Sequence, residues 1–206
     1  MYSKRQNIVL GFHGCDISVR NLVVQGNGFL KNSDNAYDWL GNGIYFWENN
    51  YDRALEYATF IKNNPQRSKT KIETPSVIGA VIDLGYCLDL LDSKYLKKVK
   101  EGYDFLVEIH NTYNDIPLPE NKPINDESDL LIRNLDCAVI QTVHKLNNDT
   151  HQKTYDSVRG VFFEGKDLYE NAGFKEKNHI QICIRNHNCI KGLFIPREVD
   201  SDFELP

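Results

Sequence analysis

The stretch Leu40-Gly41-Asn42-Gly43-Ile44-Tyr45-Phe46-Trp47 decides the fold of this chain. A glycine-rich turn leads directly into a short aromatic strand that carries one tyrosine among apolar residues. Two other short apolar runs have the same character: Ile8 to Phe12 ends in His13-Gly14, and residues 179–184 contain Gln181. Each run predicts a strand, so distant parts of the chain can bring a His, a Tyr and a Gln together in an α+β protein.

Helical and strand-like patterns alternate through the rest of the chain. Asn50 is a favourable N-cap for a predicted helix from about Tyr51 to Lys62. A run rich in Val and Ile at residues 77–84 predicts a buried strand. Apolar spacing predicts helices from Asp89 to Tyr113 and from Ser128 to Leu146. The remaining predicted elements are one short helix in the loop-rich residues 15–40 and strands at 160–164, 179–185 and 190–195.

Composition limits the classes of function. The chain has 206 residues, which suits a single domain over 1–206, with 88–154 as a helical insertion. Its formal net charge is −5, so nothing in the overall charge attracts nucleic acid. Its five cysteines form no C-x-x-C pair and are expected to be reduced and buried, without a metal. No run has the length of a membrane span, so a cytoplasmic protein is expected.

Four segments together resemble a known family. They are His13-Gly14, the Gly41 to Phe46 turn and strand, residues 78–85, and Tyr155-Asp156-Ser157-Val158-Arg159-Gly160. This order resembles the diphtheria-toxin and poly(ADP-ribose) polymerase branch of the ADP-ribosyltransferases. The resemblance covers residues 8–87 and 155–197. It implies a split pair of mostly antiparallel sheets around an NAD cleft, with NAD as the substrate.

The resemblance also implies roles for particular residues. His13 would bind a ribose hydroxyl of the adenosine half of NAD, and the backbone of Gly14 would pair with the nicotinamide amide. Tyr45 and Tyr57 would hold the nicotinamide ring between them. Gln181 would complete a triad with His13 and Tyr45. Further NAD contacts are expected from the neighbours of these residues in the motifs, which are Cys15, Gly43 and Phe46.

Gln181 is where the chain departs from the best-known members of that family. They carry a Glu there, which stabilises the ribosyl cation and, in the polymerases, helps to activate the acceptor. Gln181 is preferred to His179 because its spacing to Ile190 matches the hairpin that follows the family's Glu. A neutral amide can orient a ribose but cannot act as a general base. Transfer of a single ADP-ribose unit is therefore expected, with Glu164 as an auxiliary acid and Glu48 as a weaker alternative.

The sequence leaves two other classes of function open. One is an NAD-binding module without transfer activity, and the other is an interaction subunit that works through its helical middle. The acceptor expected first is a protein, with nucleic acid as the alternative. Bacterial transferases of this size often act as toxins or defence effectors, so a cognate antitoxin or regulator is an expected partner. Arg159 and Lys177 flank the predicted site and are expected to be surface charges rather than phosphate ligands.

Overall fold

The computed structural model describes residues 7–113, 117–123 and 130–204. Within these residues the chain is α+β, with four α-helices, a seven-stranded mixed sheet and a two-stranded ladder. The helices are α1 (Ile17–Val24), α2 (Tyr51–Asn63), α3 (Ser93–Thr112) and α4 (Asn134–Asp149). The strands are β1 (Ile8–Asp16), β2 (Ile44–Glu48), β3 (Pro75–Asp83), β4 (Cys87–Asp89), β5 (Asn121–Lys122), β6 (Ile132–Arg133), β7 (Ser157–Phe162), β8 (His179–Ile184) and β9 (Ile190–Phe194).

One continuous sheet replaces the two separate sheets that were expected. Its strand order is β4-β7-β8-β2-β1-β3-β9, and only the β4–β7 pair is parallel. The two halves of the sheet meet at β1 and β2, where the pairs Gly11–Glu48 and Phe12–Trp47 form the register. By contrast, β1 pairs with β3 over its whole length. The expected split therefore exists only as a narrow joint in the middle of one sheet, which we call the seam.

The sheet buries a different kind of core on each side. The α1 face is defined by Cys15, Phe46, Ile78 and Ile182, which pack with Val23 of α1 in one cluster that crosses the seam. The opposite face, called the α2 face, carries two separate clusters. Trp47 and Val77 pack with Ala54 of α2, whereas Leu88 and Val158 pack with Ile140 and Val143 of α4. On the α2 face, α2 thus packs over the seam, and α4 packs over β4 and β7.

Local signals in the sequence account for several element boundaries. The Asn50 side chain accepts a hydrogen bond from Arg53 N at 3.0 Å, which confirms the predicted cap of α2. The third helix starts later than predicted because Asp92 caps it and residues 87–89 form β4 instead. The fourth helix starts at Asn134 because residues 132–133 pair with β5. Its predicted start at Ser128 lies outside the described residues.

Candidate functional site

The seam exposes the peptide groups of β1 to the space beside β2. Leu10 O accepts from Asn49 N at 2.9 Å, so the peptide groups of Leu10, Phe12 and Gly14 all point toward β2 in an antiparallel strand. Phe12 is paired with Trp47, but in the described chain the β1–β2 ladder does not extend to Gly14. The N–H and C=O groups of Gly14 therefore face the opening between β1 and β2.

Gly14 also determines how closely α2 approaches the sheet. A Cβ atom at this position would lie 2.1 Å from the carbonyl oxygen of Ala54 and 3.3 Å from the Cβ of Ala58. No side chain fits in such a contact with a helix backbone. The missing side chain thus brings α2 against β1 and places the helix beside the opening.

His13 closes one side of the opening with a hydrogen bond across the seam. Its Nδ1 atom lies 2.8 Å from Tyr45 O, the carbonyl that a longer β1–β2 ladder would pair with Gly14. Because a carbonyl only accepts, Nδ1 carries the proton and Nε2 presents a lone pair. Burial lowers the pKa of His13, and the backbone hydrogen bond offsets this in part. The imidazole is therefore a neutral acceptor at neutral pH.

The three residues of the predicted triad do not share one face of the sheet. His13 lies opposite Ile78, on the α1 face, and its ring is 5.8 Å from the Phe46 ring. Tyr45 and Gln181 lie on the α2 face, because side chains alternate along a strand. Tyr45 connects the two faces of the sheet. Its backbone carbonyl accepts the hydrogen bond from His13, and its side chain points to the α2 face.

The Tyr45 hydroxyl group is hydrogen-bonded to the turn that precedes β2. It donates to Gly41 O at 2.7 Å and accepts from Leu40 N at 2.9 Å. Burial raises the pKa of Tyr45 well above its usual value. Gly43 has no room for a side chain in this turn, because its Cβ would lie 2.5 Å from Cys183 Sγ. The turn and the ring are therefore one packed unit, and Tyr45 holds the turn in place.

Gln181 is the most available polar side chain of the predicted set. It pairs with Trp47 on β2 and with Gly160 on β7, so one of its two cross-strand neighbours has no side chain. Gln181 is half-buried, and in the described part of the chain its amide makes no hydrogen bond. The amide is free to orient a ligand that lies on the α2 face.

Tyr57 lies on α2 and faces the same region. Its side chain is 38% exposed, and its ring centroid is 5.1 Å from that of Trp47. Burial of the hydroxyl, with smaller contributions from Tyr37 and Asp38, raises the pKa of Tyr57. The rings of Tyr57 and Trp47 together form an aromatic wall beside Gln181.

Cys15 and Phe46, which the sequence predicted to contact NAD, lie in the core of the α1 face. Phe46 has no exposed surface, and burial raises the pKa of the Cys15 thiol to about 11. Neither side chain reaches the α2 face in this conformation. Their packing supports His13 and the first strand.

Glu164, the predicted auxiliary acid, forms an ion pair above the α2 face. Its Oε2 lies 2.8 Å from Arg53 Nη2, and its Oε1 lies 3.9 Å from Lys177 Nζ. The Arg53 contact joins the end of β7 to the start of α2. Glu164 therefore lies near the region of Gln181, but its charge is balanced by an arginine.

Glu48, the alternative acid, is balanced in a similar way on the α1 face. Its two oxygens lie 2.5 and 2.7 Å from Arg159, which also reaches Asp89 at 3.3 Å. Arg159 pairs with Ile182, so it lies on the side opposite Gln181. The expectation that Arg159 is a surface charge is wrong, because its side chain is 13% exposed and spans β8 to reach Glu48.

Sequence reasoning missed three residues of this region: Trp47, Arg53 and His179. Each has a buried side-chain nitrogen without a hydrogen-bond partner among the described residues, namely Trp47 Nε1, Arg53 Nε and His179 Nε2. A period-two count from Tyr45 and Gln181 would have placed Trp47 and His179 on the same face. No sequence pattern indicates Arg53, because its ion pair with Glu164 depends on where α2 packs.

Three further observations concern the described residues outside the seam. A shallow depression lies on the outer face of α2, between Asp52 and Asn63, away from the seam. The described chain contains no cluster of His, Cys, Asp or Glu side chains that could hold a metal ion. None of its described helices is both long and apolar enough to cross a membrane.

The candidate site is the seam. It combines the Gly14 peptide group, the neutral His13, the free Gln181 amide and the aromatic wall. No protein-family model, curated protein or solved structure matches this chain.

Proposed function

We propose that this protein is an NAD-dependent mono-ADP-ribosyltransferase, which cleaves the bond between nicotinamide and ribose and transfers one ADP-ribose unit. The observation that carries the proposal is the seam. There the Gly14 peptide group lies without a ladder partner on β2 in the described chain, next to the neutral His13. A strand edge that offers both a donor and an acceptor matches a primary carboxamide such as that of nicotinamide.

The surrounding residues supply the other contacts that this reaction needs. The lone pair of His13 Nε2 would accept from a ribose hydroxyl of the adenosine half. Tyr57 would stack on the nicotinamide ring, and the Gln181 amide would orient the adjacent ribose. Together these contacts would hold the scissile bond in a fixed geometry, which lowers the barrier by positioning.

The proposed transfer stops at one unit because the residues predicted to activate an acceptor offer no free carboxylate. Gln181 is neutral, and both Glu164 and Glu48 are paired with arginines. None of these three residues would therefore activate an acceptor hydroxyl on a bound ADP-ribose. The proposed acceptor is a protein side chain that is itself a nucleophile.

The same ion pairs favour a second candidate, an NAD-binding module without transfer activity. A ribosyl cation that forms next to an amide gains less stabilisation than one that forms next to a carboxylate. The two candidates differ in one observable, because only a transferase releases nicotinamide from NAD.

The test combines NAD binding with product analysis. Calorimetry with NAD, chromatography of released nicotinamide and mass spectrometry of lysate incubated with labelled NAD would be run on the wild-type protein. Tyr57→Ala should weaken NAD binding by about two- to tenfold through lost stacking. Tyr113→Ala is the matched control, because Tyr113 is exposed at the end of α3.

Each result selects one outcome. Release of nicotinamide with labelled protein supports the transferase. Binding without release supports the NAD-binding module. Wild-type and Tyr113→Ala proteins that bind no NAD, with a folded chain, would exclude both.

A further inference from the structure

Trp47 occupies the space beside Tyr57 that a ligand ring would need. It lies on the α2 face, directly across from Gln181, and is 5% exposed. Its ring centroid is 5.1 Å from that of Tyr57, with an angle of 42° between the ring planes. In this conformation the indole therefore makes the aromatic contact with the side of the Tyr57 ring that faces the sheet.

The packing of Trp47 leaves polar atoms unsatisfied. A buried indole N–H normally finds an acceptor, yet Trp47 Nε1 has none in the described part of the chain. His179, whose ring centroid is 6.4 Å from that of Trp47, is also 5% exposed and has no partner for Nε2. Its Nδ1 donates to Lys177 O at 2.6 Å, so Nε2 is an acceptor. The indole position is thus well packed but incompletely hydrogen-bonded.

We propose that Trp47 is a gate that determines which ligands enter the candidate site. The indole lies against Tyr57 when the site is empty and leaves this position when a flat aromatic ring replaces it there. The ligand class is a planar aromatic ring such as the nicotinamide of NAD, and this part rests on the proposed function.

Stacking explains why an aromatic ligand is selected. When the indole leaves, Tyr57 loses a ring contact, and only another flat ring restores it. The indole N–H can also gain a partner when it moves, because its present position offers none. A ligand without such a ring, for example ribose 5-phosphate, restores nothing at Tyr57 and leaves the indole where it is.

The chain has two tryptophans, so a Trp39→Phe protein reports on Trp47 alone. Nicotinamide and NAD, each titrated into this protein, should shift the emission of Trp47 to longer wavelength in a saturable way as the indole becomes exposed. Ribose 5-phosphate, which has no aromatic ring, should leave the emission unchanged. An emission that stays constant while calorimetry shows NAD binding would overturn the gate and leave the proposed function intact.

Variants at Trp47 test the same idea by affinity. Trp47→Leu removes the ring but keeps apolar volume, and it should tighten nicotinamide binding by about two- to tenfold. Trp47→Phe keeps a smaller ring without the N–H and should give an intermediate affinity. Circular dichroism establishes that each variant is folded.

The outcomes separate the gate from the proposed function. Tighter binding of nicotinamide to Trp47→Leu than to wild-type protein supports the gate. Equal affinities for folded wild-type and Trp47→Leu proteins overturn the gate. Absence of NAD and nicotinamide binding to every folded variant overturns both the gate and the proposed function.

Discussion

At the scale of single residues, burial fixes the protonation of the imidazoles. His144 on α4 is 2% exposed, and neither ring nitrogen has a hydrogen-bond partner among the described residues. Burial, helped by the charge of Arg185, lowers the pKa of His144 to about 3. Burial lowers the pKa of His13 and His179 as well. All three imidazoles are therefore neutral when the protein is folded at pH 7.

The lowered pKa of these buried histidines predicts that mild acidification reduces the free energy of unfolding. A histidine in the unfolded chain takes up a proton near pH 6.5, whereas folded His144 does so only near pH 3. The unfolded state therefore binds more protons between these values, and the free energy of unfolding falls as pH drops from 6.5 toward 3. From pH 7 to pH 5 the expected loss from His144 is about 2 kcal/mol, measured by urea unfolding.

Replacing the ring tests the assignment to His144. His144→Phe keeps an aromatic ring in the core. It should reduce the loss in the free energy of unfolding between pH 7 and pH 5 by about 2 kcal/mol. His151→Asn is the control, since His151 is exposed and has a positive φ of 54° that Asn tolerates. A pH dependence that persists in His144→Phe and vanishes in His151→Asn would contradict the assignment.

Gln181 is the second residue whose chemistry can be changed directly. Gln181→Glu places a carboxylate on the α2 face, next to Trp47 and near the proposed ribose position. Because a carboxylate stabilises a developing cation more than an amide does, release of nicotinamide from NAD should increase by roughly 10²-fold. Chromatography of nicotinamide measures this, with the exposed Gln152→Glu as the charge-matched control. Equal rates in Gln181→Glu and wild-type protein would show that position 181 does not face the reacting ribose.

At the scale of elements, the predicted strands and the second helix agree with local sequence. Strands β1, β2, β8 and β9 have a strong apolar pattern, and Asn50 marks the start of α2. Prediction failed where pairing partners decide a boundary. Residues 87–89 become a strand only because they lie parallel to β7, and residues 132–133 only because β5 lies beside them. β4 pairs with a remote segment, and the β5–β6 ladder is only two residues long, so no local pattern could indicate these strands.

The contact between α2 and β1 gives a prediction at this scale. Gly14→Ala should push α2 away from the strand, because the new Cβ would lie 2.1 Å from Ala54 O. We expect a loss of about 2–4 kcal/mol in the free energy of unfolding. Gly192→Ala is the control, because its Cβ would meet no atom within 4 Å. Urea unfolding of both variants measures the difference, and equal stabilities would refute the close packing at Gly14.

At the scale of the whole molecule, the α+β class was predictable from the sequence and is confirmed. The candidate site was predictable only in part. Gly14, His13, Gln181 and Tyr57 border the seam, although the His13 side chain lies on the α1 face, and Phe46 is in the core. The motifs identified the strands, whereas the order of strands in the sheet determines which side chains meet. Trp47 and Arg53 depend on that order and on the placement of α2, and the sequence alone does not specify either.

The proposed mono-transferase activity makes a prediction for the intact protein. Incubation with NAD and a protein acceptor should give a single added mass of ADP-ribose per modified residue, because Gln181 is neutral and Glu164 and Glu48 are paired with arginines. Mass spectrometry of intact acceptor measures this. Regular ladders of higher mass would contradict the assignment of Gln181, Glu164 and Glu48.

The seam has a mechanical consequence. A broad core cluster crosses it on the α1 face. On the α2 face it is crossed by the smaller cluster of Trp47, Ala54 and Val77, whereas the cluster under α4 lies on one side of it. The seam should therefore open more easily on the α2 face, with the α1 face as the hinge. On the α2 face, the Arg53–Glu164 ion pair also connects the end of β7 to α2. Hydrogen exchange should therefore be slowest in β3 and β8 and should quicken at β2 when Arg53→Met removes that connection.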